Sequence, residues 1–499
     1  MRSIFLCLLI SFAAGAAEPG FTEIVIDAGF RVEQPVLVAR LTDDGSTHIV
    51  LAGRDDGHQQ HLAVFRLGNA KDYGAELVLS LSPHPNLIAY DVGRVGDRDA
   101  LFFIEPGRVL RYDFAIGELA EFTKIRTIYG QERVGEIVPI DFFRDVNGDE
   151  RDDLIVRDTA GYRLRLQHPD RNFGDEIVLQ ESSSMTVSGG IVSFESRPLF
   201  NGDINFDGLT DLAVWRGDSL RVYLQLPDER FDGEPQALPL GLGLPTEAET
   251  RALRTGRSAI DLIGLIEKRI WSIQDLNNDQ LPDILTETTL SKGVFDKQND
   301  FRLYLGRRDG EQLVYREKED ALLASEGLQY GLITTDIDGD GKQDLLVRKV
   351  RLTFARVIRA LLSGNVSLQL HFFRMTDDDS YADIANYVTR TNVSFSMSSG
   401  QVDIPAIKVA DFDADGMQDL MLQTKPDRLS FFHGVPSASL FAEDAVEMSV
   451  VLPRNGDLVS AEDINDDGRA DLIIRYNAAD ADGRTNTVRL FVSNAFTVR

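Results

Sequence analysis

The chain has 499 residues, of which 43% are hydrophobic and 8% aromatic, and its 80 acidic side chains outweigh 52 basic ones to give a formal net charge of −28. That composition supports a substantial core and argues against global disorder. The charge argues against nucleic acid and anionic membrane surfaces as partners, since both are bound through Lys and Arg, and it favours divalent cations.

The N-terminus reads as a signal peptide. Arg2 precedes an apolar run from Ile4 to Phe12, and the small residues Ala13, Ala14, Gly15, Ala16 and Ala17 follow. Residues 1–17 are therefore predicted to be removed, with an uncleaved anchor as the alternative. The remaining 18–499 are expected to be exported to the periplasm, the cell surface or the medium. The single cysteine, Cys7, lies inside the leader, so the mature chain has no disulfide available. No later run approaches the roughly 18 apolar residues of a membrane helix.

Internal repetition dominates the rest of the chain. Six segments read D-x-[DN]-x-D-x-x-x-D and then turn apolar. They start at Asp145, Asp203, Asp275, Asp336, Asp411 and Asp463. Two weaker relatives lie upstream, beginning at Leu41 and Asp91, which makes eight units of about 60 residues. Strand-like runs flank each loop, as in LAVW, a turn at Arg216–Ser219 and LRVYLQL. Units of this length suit four-stranded blades. Phe21–Ile26 resembles the last strand of a blade but precedes the first unit, so it is predicted to complete the final blade as a clasp. The fold class is thus all-β, a single β-propeller of eight blades (seven being the alternative), with short helical insertions.

The acidic loops offer clustered oxygens for Ca2+, which takes six to eight of them from a flexible loop. The candidate ligands at positions 1, 3, 5 and 9 are Asp145, Asn147, Asp149 and Asp153 in the first loop. They are Asp203, Asn205, Asp207 and Asp211 in the second, and Asp275, Asn277, Asp279 and Asp283 in the third. The fourth has Asp336, Asp338, Asp340 and Asp344, and the fifth Asp411, Asp413, Asp415 and Asp419. The sixth has Asp463, Asn465, Asp467 and Asp471. Up to six Ca2+ sites are expected. An EF-hand is excluded because position 12 is Val156, Val214, Thr286, Val347, Leu422 or Ile474, where a bidentate Glu is needed. Glu150 and Gln280 stand at position 6, where the other loops have Gly, which predicts two weaker sites.

These loops resemble those of the FG-GAP/VCBS repeat family, whose blades also build the integrin α-subunit head. The resemblance covers nearly all of the mature chain. It implies a propeller with calcium between the first two strands of a blade, and roles in adhesion or ligand binding. The chain departs from the pattern in its flanks, where Phe173-Gly174 is a faint trace, and in units one and two, which lack the acidic pattern.

Two longer units point to partner contacts. Thr246 with Glu249 forms a capping box at the start of one insert. The other, Arg348–Gly364, has helical apolar spacing and five basic residues, which would suit an acidic partner. Arg216-Gly217-Asp218 is read as a turn, and His58-x-x-His61 as an exposed loop pair. The chain contains no H-E-x-x-H, no G-x-S-x-G and no phosphate loop. The expected function is a binding or scaffold module with a protein or glycan ligand on the propeller face. A calcium-dependent carbohydrate-active enzyme, a lyase or hydrolase working in the central funnel, is the alternative.

Overall fold

Each acidic loop runs into a short apolar strand: Asp153–Asp158, Asp211–Trp215, Asp283–Ser291, Asp344–Val350, Asp419–Lys425 and Asp471–Arg475. Successive side chains of a strand point to opposite faces, and here both faces are apolar and buried. Leu154 and Val156 pack with the preceding sheet, whereas Ile155 packs with the following one. Leu345 and Val347 are divided from Leu346 in the same way. A strand of this kind needs a packed sheet on either side, and meeting that need around an axis closes a ring.

The computed structural model describes residues 20–494 apart from 69–73, 130–136, 182–183, 189–190, 196, 247–248, 250–262, 294–296, 325–327, 351–362, 397–400 and 481–483. It is a β-propeller of eight blades, as the repeat count predicts. The inner, second, third and outer strands of blade 3 are Phe143–Arg144, Asp153–Asp158, Gly161–Arg165 and Ile177–Leu179. Blade 4 spans Leu199 to Pro239, blade 5 Ile266 to Leu323, blade 6 Leu328 to Asp403 and blade 7 Ile407 to Ser449, in the same strand order. Blades 1 and 2 span Arg31 to Leu81 and Ala89 to Lys124. Blade 8 contains Val459–Glu462, Asp471–Arg475 and Thr487–Ser493, and takes its outer strand from Phe21–Asp27.

That N-terminal strand pairs antiparallel with the last one, from Phe21 opposite Ser493 to Asp27 opposite Thr487. Phe21 enters the core between blades 7 and 8, while Ile24 and Ile26 enter the core between blades 8 and 1. The clasp therefore fills two of the eight inter-blade cores. Thr246 and Glu249 make the reciprocal hydrogen bonds of a capping box, at 2.7 and 3.2 Å. The leader, residues 1–17, and the helical stretch inside Arg348–Gly364 lie outside the described residues. Among the described residues no helix is long and apolar enough to cross a membrane.

Removing Phe21–Asp27 bares the edge of Thr487–Ser493 and deletes three buried anchors, each worth about 1.5–3 kcal/mol. The truncated protein is expected to melt lower and to aggregate, and a synthetic FTEIVID peptide should restore part of the lost midpoint. Identical melting of truncated and full-length protein would mean that the clasp does not hold the ring.

Candidate metal centres

The six loops share one hydrogen-bond plan. The position-1 carboxylate accepts the backbone N–H of position 6 in every loop, at 2.7–2.9 Å (Asp145 from Glu150, Asp203 from Gly208, Asp275 from Gln280, Asp336 from Gly341, Asp411 from Gly416, Asp463 from Gly468). The position-5 carboxylate accepts the N–H of position 7, as Asp149 does from Arg151 at 2.9 Å and Asp467 from Arg469 at 3.0 Å. Position 6 is left-handed throughout: φ is 86° at Gly208 and 87° at Gly341, but also 66° at Glu150 and 68° at Gln280. The last two carry the strain expected of side chains in that conformation.

Position 9 is fully buried in all six loops. One of its oxygens accepts the N–H of position 2 and the other accepts an N–H at or just past the end of the third strand. Asp153 takes Val146 and Gln167 at 3.1 and 2.8 Å, Asp283 takes Leu276 and Gly306 at 2.9 and 2.8 Å, and Asp471 takes Ile464 and Ser493 at 3.0 and 2.7 Å. Burial pushes the carboxyls of Asp153, Asp283, Asp344 and Asp471 up to about 7 and that of Asp211 to about 6, against the opposing pull of the two N–H donors. Burial raises Asp419 as well.

The loops differ at position 3. In four of them Asn donates its amide to the position-5 carboxylate at 2.9–3.1 Å (Asn147, Asn205, Asn277, Asn465). Asn147 and Asn277 are more than nine-tenths buried, and the Oδ1 of each has no hydrogen-bond partner. Blades 6 and 7 carry Asp instead. There Asp336, Asp338 and Asp344 converge, as do Asp411, Asp413 and Asp415, and Asp413 and Asp419 converge with His433. Neighbouring loops are tied together: the N–H of Gln343 reaches Leu276 O at 2.8 Å, Gln418 reaches Ile337 O at 2.8 Å, and Ala470 reaches Asp411 O at 2.6 Å.

Arg374, His433 and Glu229 are site neighbours that escaped the sequence reading. Arg374 lies against Asp338 and 3.2 Å from Asp340, and His433 faces the blade 7 loop. Asp379, from the Asp377-Asp378-Asp379 cluster, bonds Lys342 at 2.6 Å and approaches Asn277 of the preceding blade at 3.4 Å. Glu229 occupies the same turn in blade 4 and reaches Arg151 of blade 3 at 3.3 Å. The signal shared by these turns is an aromatic, buried or partly buried, that bridges back to the strand end: Phe173 to Gln167, Phe231 to Gln225 and Tyr381 to Met375.

The upstream units diverge as their sequences suggest. In blade 1 the loop fold persists, but His48 stands at position 9, where its Nδ1 accepts Leu41 N–H at 3.3 Å, and Arg40 stands at position 1. In blade 2 a tight turn at Gly96–Asp97 replaces the loop, and Asp91 lies within a strand, accepting the N–H groups of Phe142 and Phe143 at 2.8 and 2.9 Å. The Arg216-Gly217-Asp218 turn is structural: Arg216 bonds buried Glu181 at 2.7 Å and Asp218 accepts Leu242 N–H at 2.9 Å. His61 pairs with Asp55 at 3.0 Å and stacks on Phe30.

On the opposite face, a cavity of about 560 Å3 opens where the turns of blades 7 and 8 meet the linkers before them. Lys425, Arg454 and Arg484 line it together with Tyr476, Asn392 and Asp403. Arg484 sits over the Tyr476 ring at 5.9 Å.

No family model and no curated protein matches the chain. It is similar to several solved structures. The Dos1 propeller shares 10% identity over 96% of both chains, with a TM-score of 0.41. An ulvan lyase of polysaccharide lyase family PL25, solved bound to -[GlcA(1-4)Rha3S]-, shares 12% over 85% of this chain and 98% of its own, with a TM-score of 0.32. A functionally unknown protein from Desulfotomaculum acetoxidans DSM 771 shares 11% over 70% of this chain and 85% of its own, with a TM-score of 0.31.

Replacing Asp283 by Ala strands two buried N–H groups, each costing about 1–3 kcal/mol. Denaturant unfolding in chelator should show a loss of about 2–6 kcal/mol. Wild-type stability in that variant would mean that the carboxylate does not hold the loop to the third strand.

Proposed function

We propose that the chain is an exported, calcium-stabilised propeller of the FG-GAP/VCBS type whose opposite face binds a glycan or protein ligand. The observation that carries the metal reading is the pair of buried, partnerless oxygens Asn147 Oδ1 and Asn277 Oδ1, each on a side chain whose amide nitrogen is bonded to the position-5 carboxylate of its loop. A buried carbonyl without a donor costs about 1–3 kcal/mol, and a hard cation is the partner that removes that cost. Asp145, Asn147, Asp149 and Asp153 would hold the ion in blade 3, with the equivalent residues in blades 4, 5, 6 and 8. Bound calcium supplies positive charge that keeps these carboxylates ionised. With a Kd near 10 μM and calcium near 1 mM, each occupied site would add roughly 2.7 kcal/mol.

The pH dependence follows from the buried position-9 groups. Their folded pKa of about 7 exceeds the unfolded value of 3.8. Without metal, the stability they contribute is complete below that lower value and is lost as pH rises through 7. Melting in chelator is therefore expected to fall between pH 5 and 8. Added calcium should raise the midpoint, most strongly at pH 8. A midpoint indifferent to calcium at both pH values would end this reading.

The ligand reading rests on the cavity beside blades 6 to 8, where Lys425, Arg454 and Arg484 outnumber Asp403 and Asp480 and the Tyr476 ring joins them. That combination suits an acidic saccharide or peptide. On an array of acidic and neutral glycans, selective capture is expected, with at least tenfold weaker binding by the Lys425→Glu/Arg454→Glu double variant. Equal binding by the variant would move the site elsewhere, and glycan cleavage would replace the binding module by a carbohydrate-active enzyme.

A further inference from the structure

One residue at or beside the end of the third strand sorts the six acidic loops into two kinds. It immediately precedes the N–H that bonds the position-9 Asp. In blades 3, 4, 5 and 8 it is Leu166, Leu224, Leu305 or Val492, and each of those loops has Asn at position 3. In blades 6 and 7 position 3 is Asp, and the strand-end residue is Arg374 or His433. Arg374 brings a fixed positive charge to its loop. His433 brings something the other loops lack, a nitrogen ligand.

We propose that Asp413, Asp419 and His433 form a transition-metal site of the zinc class, distinct from the all-oxygen loops. His433 Nδ1 lies 3.2 Å from Asp413 Oδ2 and 3.3 Å from Asp419 Oδ1. It is buried and makes no hydrogen bond to either. A four-coordinate ion with bonds of about 2.0–2.1 Å sets its donors about 3.3 Å apart, which matches both spacings. The other ring nitrogen, Nε2, lies 3.3 Å from Asp415 Oδ2. A carboxylate behind the ring is the usual outer partner of a metal-bound imidazole, because it fixes the tautomer that leaves the inner nitrogen free to bind. Imidazole nitrogen with carboxylate oxygen favours first-row transition ions over calcium, whose ligands are oxygens alone. The inference rests on the metal reading of the loops at this one blade only.

The test uses Co2+ and Zn2+ on the full chain saturated with calcium. Wild type should bind one Co2+ with the intense visible bands of four-coordination, and Zn2+ should displace it. His433→Leu adopts the side chain found in blades 3 to 5 and should lose the bands and at least tenfold in Zn2+ affinity, while keeping its calcium-dependent melting shift. His433→Gln provides a second variant should Leu disturb folding, which circular dichroism reports. Absence of the bands in wild type, or equal bands and affinity in both folded variants, overturns the site. Loss of the calcium shift in wild type with the Co2+ bands intact would sink the calcium reading and leave this one standing.

Discussion

A carboxylate with no access to solvent heads the second strand of six blades, and its two oxygens grip N–H groups from two different segments. One donor belongs to the start of the acidic loop and the other to the end of the third strand. The loop, the second strand and the third strand are thereby fixed to one another at a single point. A buried charge is costly without such donors, and two buried N–H groups are costly without an acceptor, so each half of the arrangement requires the other. The nine-residue spacing is therefore a structural constraint before it is a ligand pattern. Position 9 would be kept as an acceptor even in a blade that held no ion, and blade 1 shows as much: His48 takes over the bond to Leu41.

The fold was legible in the chain because two periods reinforce each other. The acidic loops mark one end of every blade, and the apolar run after each marks a strand buried on both faces. The clasp was legible too, since Phe21–Ile26 has the pattern of a strand with no unit of its own. The rest was hidden for identifiable reasons. Arg374 and His433 come from the far end of the third strand, 30 residues after Asp344 and 14 after Asp419, so only strand register reveals what they face. Asp379 and Glu229 reach across to a preceding blade, and no spacing within one repeat encodes a contact between repeats. In blade 1, register alone shows that Arg40 and His48 occupy ligand positions.

The ring is chemically uneven. Blades 1 and 2 have no acidic loop, blades 3 and 5 bury partnerless amide oxygens, and blades 6 and 7 place a basic side chain against an extra carboxylate. One architecture thus carries several ways of managing the same cluster of negative charge: removing it, setting a partnerless amide oxygen beside it, or facing it with a basic side chain, as Arg151 also does toward Asp149 in blade 3 and Arg469 toward Asp467 in blade 8. Substitutions at position 3 and at the strand end distinguish blades that share the loop's backbone, whereas blade 2 has exchanged the loop for a tight turn.

The clasp also has a kinetic meaning. Phe21 and Ser493 are neighbours in the sheet but stand at opposite extremes of the folded chain. Bringing them together closes a loop of nearly the whole polypeptide, and such distant pairings carry an entropy cost before they return any stability. A chain made from its N-terminus must hold its first strand unpaired until the eighth blade has emerged. Until that moment two sheet edges stay open, and the interval between completion of blade 7 and arrival of the last strand is when the molecule is most exposed to pairing with a stranger.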